Sequence, residues 1–256
     1  MISSLVLKIL NIYKSFDSSF SIKNKSQKEA TEIQLKVLKN LILKSKNTKF
    51  GIDHHFKEIN NYHEYIEKVP VRDYENIREY IEFVRKGENG ILWPEKPMYF
   101  AKTSGTTSGI KYIPITKESL KNQINSAGYL LLSYLNEKKS LKAIGGKVMF
   151  ISGSPNLEES NNIRIGRLSG IVNYHEPTYL KNMILPSKET NRIEDWEEKI
   201  NKIVDETIGE DLRILGGIPP WVQMYFDVLT KRTGKKIIEI FPNLELLCHG
   251  GVNFEP

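Results

Sequence analysis

The chain of 256 residues is 39% apolar, 27% charged and 10% aromatic, with a net charge of +6. A chain of this size and composition buries enough apolar surface to hold a core without disulfides or metals, which excludes wholesale disorder. The single cysteine, Cys248, excludes an internal disulfide and points to the cytoplasm; no run approaches the roughly 18 apolar residues of a membrane helix, and Lys8 comes too early for a signal-peptide core.

Residues 3–16 place Leu5, Val6, Ile9, Leu10, Ile12, Tyr13 and Phe16 at helical intervals, and residues 27–46 do the same with Ala30, Ile33, Leu35, Val37, Leu38, Leu41 and Leu43, so two helices packed by one face are expected. The basic excess lies here. Residues 1–50 hold ten lysines against Asp17, Glu29 and Glu32, a surplus of seven, and the other 206 residues sum to −1. These lysines fall on polar positions between apolar ones and read as a solvated helix face; no RNP, helix-turn-helix or zinc-finger spacing supports a nucleic-acid partner, and no membrane partner is expected.

Residues 62–69 and 73–85 read as two more helices separated by Pro70. Met98–Lys102 and Tyr112–Ile115 are short β-favouring runs around a glycine and hydroxyl segment, after which Thr116 caps a helix to about Leu135. A strand at Val148–Ser152, an irregular polar stretch at 153–162, a helix near Asp195–Ile208 and a buried strand at Leu212–Leu215 follow. Pro219 and Pro220 suit the first turn of a helix over Trp221–Thr230, and Leu244–Cys248 is the last strand. Strands alternating with helices predict an α/β fold with a largely parallel, covered sheet and ligand loops at strand ends.

The segment Thr103-Ser104-Gly105-Thr106-Thr107-Ser108-Gly109-Ile110-Lys111 concentrates five hydroxyls, two glycines and a lysine in nine residues. Glycine lets the backbone turn its N–H groups toward an anion and lysine adds a mobile charge, a chemistry suited to polyphosphate. The spacing is not that of a Walker A loop, and no G-x-S-x-G elbow is present. Composition alone leaves two readings open, a phosphate cradle and a plain hairpin loop.

The run FAKTSGTTSGIKYIPIT resembles the phosphate-binding loop of the acyl-acid amido synthetases, the Gretchen Hagen family of auxin-conjugating plant enzymes and their bacterial relatives, within the adenylate-forming superfamily of acyl-CoA synthetases and luciferases. VPVRDYENIREYIEFVRKGENGILWP at 69–94, FGIDHHF at 50–56, GGIPPWVQMYFDVL at 216–229 and FPNLELLCHGGVNFEP at 241–256 resemble further blocks of that family in the same order. The resemblance implies a two-step reaction: a carboxylic acid and ATP with Mg2+ give an acyl-adenylate and pyrophosphate, and an amine, commonly an amino acid, then forms the amide. It assigns Thr103, Ser104, Gly105, Thr106, Thr107, Ser108, Gly109 and Lys111 to the phosphates, with Lys111 and Thr106 stabilising charge as pyrophosphate leaves. The interval from Gly109 to Pro114 is one residue shorter than in the plant loops, which bears on the role of Lys111. Gly250, Gly251 and Val252, after the last strand, resemble the loop that meets adenine.

The family continues with a Y-x-x-S-E type motif, a ribose-binding aspartate and a mobile C-terminal domain, none of which lies in these 256 residues. The expectation is therefore a single incomplete N-terminal adenylate-forming domain, mainly helical over 1–95 and α/β over 96–256, inactive alone and with its last strand open to association. The alternatives are a non-catalytic nucleotide-binding or interaction domain and a ligase that passes the acyl group to coenzyme A. His54, His55 and His63 lack metal-ligand spacing and read as surface or helix-cap residues, His249 as structural, and Trp221 and Tyr225 as core packing that is able to border an acyl pocket. Ala127, Tyr129, Leu130 and Leu131 on the helix after Thr116 are candidates to line that pocket as well.

Overall fold

A computed structural model describes residues 26–103, 109–175 and 182–250; the expected helix at 3–16 lies outside them. The described residues fall into two compact units, one of residues 26–122 with 157–166 and the other of residues 123–156 with 167–250.

The first unit opens with four helices whose starts follow from side-chain caps. In α1 (Gln27–Ser45) the Ser26 hydroxyl accepts from the Glu29 N–H at 3.3 Å while the Glu29 carboxylate accepts from the Ser26 N–H at 2.7 Å. Thr48, Asn61 and Asp73 cap α2 (Lys49–Asp53), α3 (Tyr62–Lys68) and α4 (Tyr74–Arg85), each by a side-chain oxygen that accepts the backbone N–H three residues on. Packing of α1 by one face does not hold. Ile42 and Ser45 are its buried residues, while Ile33, Leu35, Val37, Leu41 and Leu43 are exposed, because its apolar residues are spread around the helix and one contact surface cannot take them all.

Four strands complete this unit: β1 (Tyr99–Lys102), β2 (Tyr112–Ile115), β4 (Glu158–Ser160) and β5 (Ile163–Gly166), in the order β2-β1-β5-β4. β1 pairs antiparallel with β2 and parallel with β5, and β4 and β5 form a hairpin. Phe100, Ile163 and Ile165 from the sheet pack with Ile81, Val84 and Ile91 to form the core. The polar stretch expected to be irregular thus contains a strand. Glu158-Glu159-Ser160 has no apolar alternation to reveal it, and the turn at Asn161-Asn162 takes φ of 52° and 62°, a left-handed pair that two-residue hairpins require and asparagine tolerates.

The second unit is built on a wholly parallel sheet in the order β6-β3-β7-β8, from β3 (Lys147–Phe150), β6 (Ile184–Leu185), β7 (Leu212–Gly217) and β8 (Leu246–His249). The helix capped by Thr116, α5 (Lys117–Lys138), runs into it, followed by α6 (Leu168–Tyr174), α7 (Lys188–Asn191), α8 (Trp196–Thr207), α9 (Pro219–Thr233) and α10 (Ile237–Ile240). α/β architecture is therefore present as expected, with one parallel sheet and one mixed sheet. Met149, Leu212 and Leu215 of the parallel sheet pack against Ile203 and Val204 of α8 and Tyr225 and Leu229 of α9. Tyr225 is fully buried and donates its hydroxyl to Thr207 Oγ1 at 2.8 Å, and Trp221 lies 4.6 Å from Trp196, so both serve the core. Gly216 of β7 leaves room for the ring of Phe150, its partner on β3: a Cβ there would come within 2.3 Å of that ring.

Lys199 is buried in this unit, its ammonium donating to the carbonyls of Ser152 and Asn191 at 2.9 Å each. Burial, and secondarily the charge of Arg167, pull its pKa down to about 8. The folded state therefore releases the proton more readily than the unfolded chain. Stability should rise with pH between about 8 and the ordinary lysine value, by at most about 1.4 kcal/mol per pH unit, and level off on either side. Urea unfolding of the wild type and of Lys199→Met across that range checks this, since the variant should lack the rise.

Candidate functional site

The glycine and hydroxyl loop joins β1 to β2, and the strands' burial fixes its base. Tyr99, Phe100 and Ala101 are all buried, and the register runs from Tyr99 opposite Ile115 to Lys102 opposite Tyr112. One step beyond, the Thr103 N–H donates to the Lys111 carbonyl at 3.0 Å, and the Lys111 N–H reaches the Thr103 hydroxyl at 3.4 Å. The structure therefore brings Thr103 and Lys111 together at the neck of the loop. Ser104, Gly105, Thr106, Thr107 and Ser108 lie outside the described residues. Gly109 has φ of +79° with open space where a Cβ would be, so the turn of the backbone, and not crowding, favours glycine there.

Two residues with no sequence signal of their own brace this neck. Tyr74, the first residue of α4, accepts the Tyr112 N–H on its hydroxyl at 2.8 Å, and its ring centroid lies 5.5 Å from the Lys111 ammonium. Arg85, in the last turn of α4, places its guanidinium 4.0 Å from the Tyr112 ring centroid while holding Glu82 at 2.7 Å. Asn161 donates to the Arg85 carbonyl at 2.7 Å, and Lys102 pairs with Glu158, which ties the β4–β5 hairpin to the same helix and strand. Asp73, the cap of α4, has its carboxyl below the usual range chiefly because it accepts the Asn76 N–H. Arginine over an aromatic ring and a lysine beside another are cation–π contacts that leave both cations with donors to spare.

In the second unit, β8 ends at exposed His249 and Gly250, and a Cβ on Gly250 would meet no atom within 4 Å. Gly251 and Val252 lie outside the described residues. Burial pushes the Cys248 thiol up, away from the reactive thiolate. His54, expected on the surface or at a helix cap, is the C-cap of α2 but is buried: its ring stacks on Phe50, Nδ1 meets the Phe50 carbonyl at 2.7 Å and Nε2 accepts from Arg72 at 2.5 Å. His55 and His63 are exposed. On α5, Tyr129 and Leu130 are exposed. Among the described residues no helix is long and apolar enough to cross a membrane.

The description of the GH3 family N-terminal domain matches residues 22–172, more than half of the chain, and the chain belongs to the GH3 family. Indole-3-acetic acid-amido synthetase GH3.15 of Arabidopsis thaliana is 42% identical over 81 residues, covering 28% of this chain and 14% of that protein. Two solved structures share the fold. One, a GH3.15 acyl acid amido synthetase, aligns with a TM-score of 0.62 at 18% identity over 77% of this chain and 36% of its own. The other, AtGH3.15 acyl acid amido synthetase in complex with 2,4-DB, aligns with a TM-score of 0.61 at 17% identity over 91% of this chain and 41% of its own. The chain thus spans less than half the length of these relatives.

Tyr74→Phe should leave the Tyr112 N–H without its acceptor at little change in packing. The expected cost is about 1–3 kcal/mol, read by chemical denaturation, whereas Gly109→Ala should cost only about 1 kcal/mol because its penalty is conformational.

Proposed function

We propose that this chain supplies the phosphate-holding part of an acyl acid amido synthetase, and that the protein carrying it joins a carboxylic acid to an amine at the expense of ATP. Membership of the GH3 family and the acyl acid amido synthetase titles of the structural relatives support the reaction class. The observation that carries the reading is the β1–β2 hairpin, which sets Thr103 and Lys111 side by side at the base of a loop of hydroxyls and glycines.

In the first step a carboxylate oxygen attacks the α-phosphorus of MgATP, the bond from that phosphorus to the bridging oxygen breaks, and pyrophosphate departs with the negative charge. Hydroxyls of Thr103, Ser104, Thr106, Thr107 and Ser108, backbone N–H groups freed by Gly105 and Gly109, and the Lys111 ammonium are suited to stabilise that charge without reorganising. The ion Mg2+ enters with the nucleotide, and Gly250, Gly251 and Val252 are assigned to the adenine ring, where a side chain would obstruct a flat ligand. In the second step the amine nitrogen attacks the acyl carbon, AMP leaves, and the nitrogen gives up its proton. The 2,4-DB complex of the relative makes 2,4-DB a first choice of acid to assay.

Acid-dependent exchange between ATP and pyrophosphate, measured over a panel of carboxylic acids with the protein that carries residues 1–256, tests the first step. Lys111→Ala and Thr106→Ala should each lower the exchange rate about 10-fold to 1000-fold, as when one preorganised donor is removed. Wild-type rates in both variants, or no exchange with any acid, would overturn the reading. An acceptor panel of amino acids against coenzyme A then separates amide synthesis from thioester formation.

A further inference from the structure

The Lys111 backbone is held through both its N–H and its carbonyl by Thr103, and the side chain that leaves this bridge is half-buried. Among the described residues its ammonium makes no hydrogen bond and no ion pair. It meets the Tyr74 ring instead, with the centroid 5.5 Å away. A lysine side chain is ordinarily free to sample many rotamers. An ammonium over an aromatic face gives up much of that freedom while keeping all three of its donors available.

Tyr74 is fixed from three directions. It is the first residue of α4, whose start Asp73 caps; its side chain packs against the core that contains Ile81, Phe100 and Ile163; and its hydroxyl accepts the Tyr112 N–H at 2.8 Å. The last bond ties the ring to the residue next to Lys111, so ring and ammonium share one frame. Arg78, one turn further along α4, lies 5.7 Å from the same ring centroid but gives a donor to Glu75 at 2.8 Å. The Asp73 carboxyl, held low chiefly by the Asn76 N–H, also feels the Lys111 charge, which places the ammonium beside the start of α4.

We propose that Tyr74 is a positioning residue for Lys111, its ring holding the ammonium at the neck of the loop with three donors free for an arriving phosphate group. The consequence for catalysis rests on the phosphate-holding reading given above; the placement of the ammonium does not. Because the side chain is ordered before the nucleotide arrives, less of the attraction between them is lost in immobilising it. The hydroxyl and the ring of Tyr74 thus have separate roles. The first braces the strand, and the second places the cation, so phenylalanine keeps one role and loses the other.

Reductive methylation of the lysines with carbon-13 methyl groups keeps their charge and lets NMR read each ammonium in the protein that carries residues 1–256. The signal that disappears in Lys111→Ala belongs to Lys111, and the Tyr74 ring current should displace it upfield of a lysine in a free peptide. That displacement should collapse in Tyr74→Leu and persist in Tyr74→Phe. Signals of Lys44 over Trp93 and Lys49 over Tyr80 should stay in place, which shows that Tyr74→Leu is folded. In the ATP–pyrophosphate exchange assay Tyr74→Leu should be slower by about 3-fold to 10-fold, the worth of one half-buried cation–π contact read as a rate, and Tyr74→Phe should keep the wild-type rate. In a Lys111→Ala background Tyr74→Leu should cause no further loss, since the ring then has no ammonium to place. A Lys111 signal at the free-peptide position overturns the proposal without any Tyr74 variant. So does a displacement that survives in Tyr74→Leu, or a Tyr74→Leu loss equally large with and without Lys111. Wild-type exchange in Lys111→Ala, with the displacement present and then lost in Tyr74→Leu, supports the placement and overturns the phosphate-holding reading alone.

Discussion

The feature on which the first unit depends is the burial of β1 between two partners of opposite direction. Phe100 is 1% exposed and sits where β2, β5 and α4 converge. A strand fixed on both sides cannot slip by one residue without turning its apolar side chains out of the core. The register of the β1–β2 hairpin follows, and with it the placement of Thr103 beside Lys111. Chemistry at the loop is thus set by packing some residues away, and the loop itself needs to encode only its donors.

The same division of labour appears in the second unit. There Gly216 leaves room for the Phe150 ring from the neighbouring strand, and a Cβ on Gly217 would lie 3.1 Å from Val222. Small residues at the carboxyl end of β7 let α9 begin directly, with Pro219 and Pro220 in its first turn where no N–H is required. Glycines at strand ends therefore have two distinct origins here. Gly216 and Gly217 answer to internal packing, whereas a Cβ at Gly109 or Gly250 would meet nothing within 4 Å.

Local chemistry explains what was legible from sequence. The cap at Thr116, the prolines before Trp221 and the helix starts read at Asp73 and near Asp195 agree with the structure, where Asp73 and Asp195 prove to be the capping residues and each cap accepts a backbone N–H within the first turn. The β1–β2 hairpin was legible because apolar runs flank a dense turn composition. β4 and α6 were not, since Glu158-Glu159-Ser160 and the seven residues of α6 are too short and too weakly patterned to register. Tyr74 and Arg85 also escaped notice: their roles come from which helix lies against the hairpin, and nothing in their immediate neighbours records that. His54 was half legible, as a helix cap whose burial depends on Phe50 and Arg72.

The two ends of the mixed sheet carry a further consequence. β2, at one end, contains Pro114, which offers no N–H to an incoming strand; β4, at the other, is three residues long and exposes Glu158 and Glu159. A strand from another molecule would find a missing donor on one side and desolvated carboxylates on the other. A polar, glycine-rich loop is ordinarily a weak point for strand exchange between copies. With both margins blunted, the hairpin is free to carry a polar sequence between its strands without recruiting neighbouring molecules into a shared sheet.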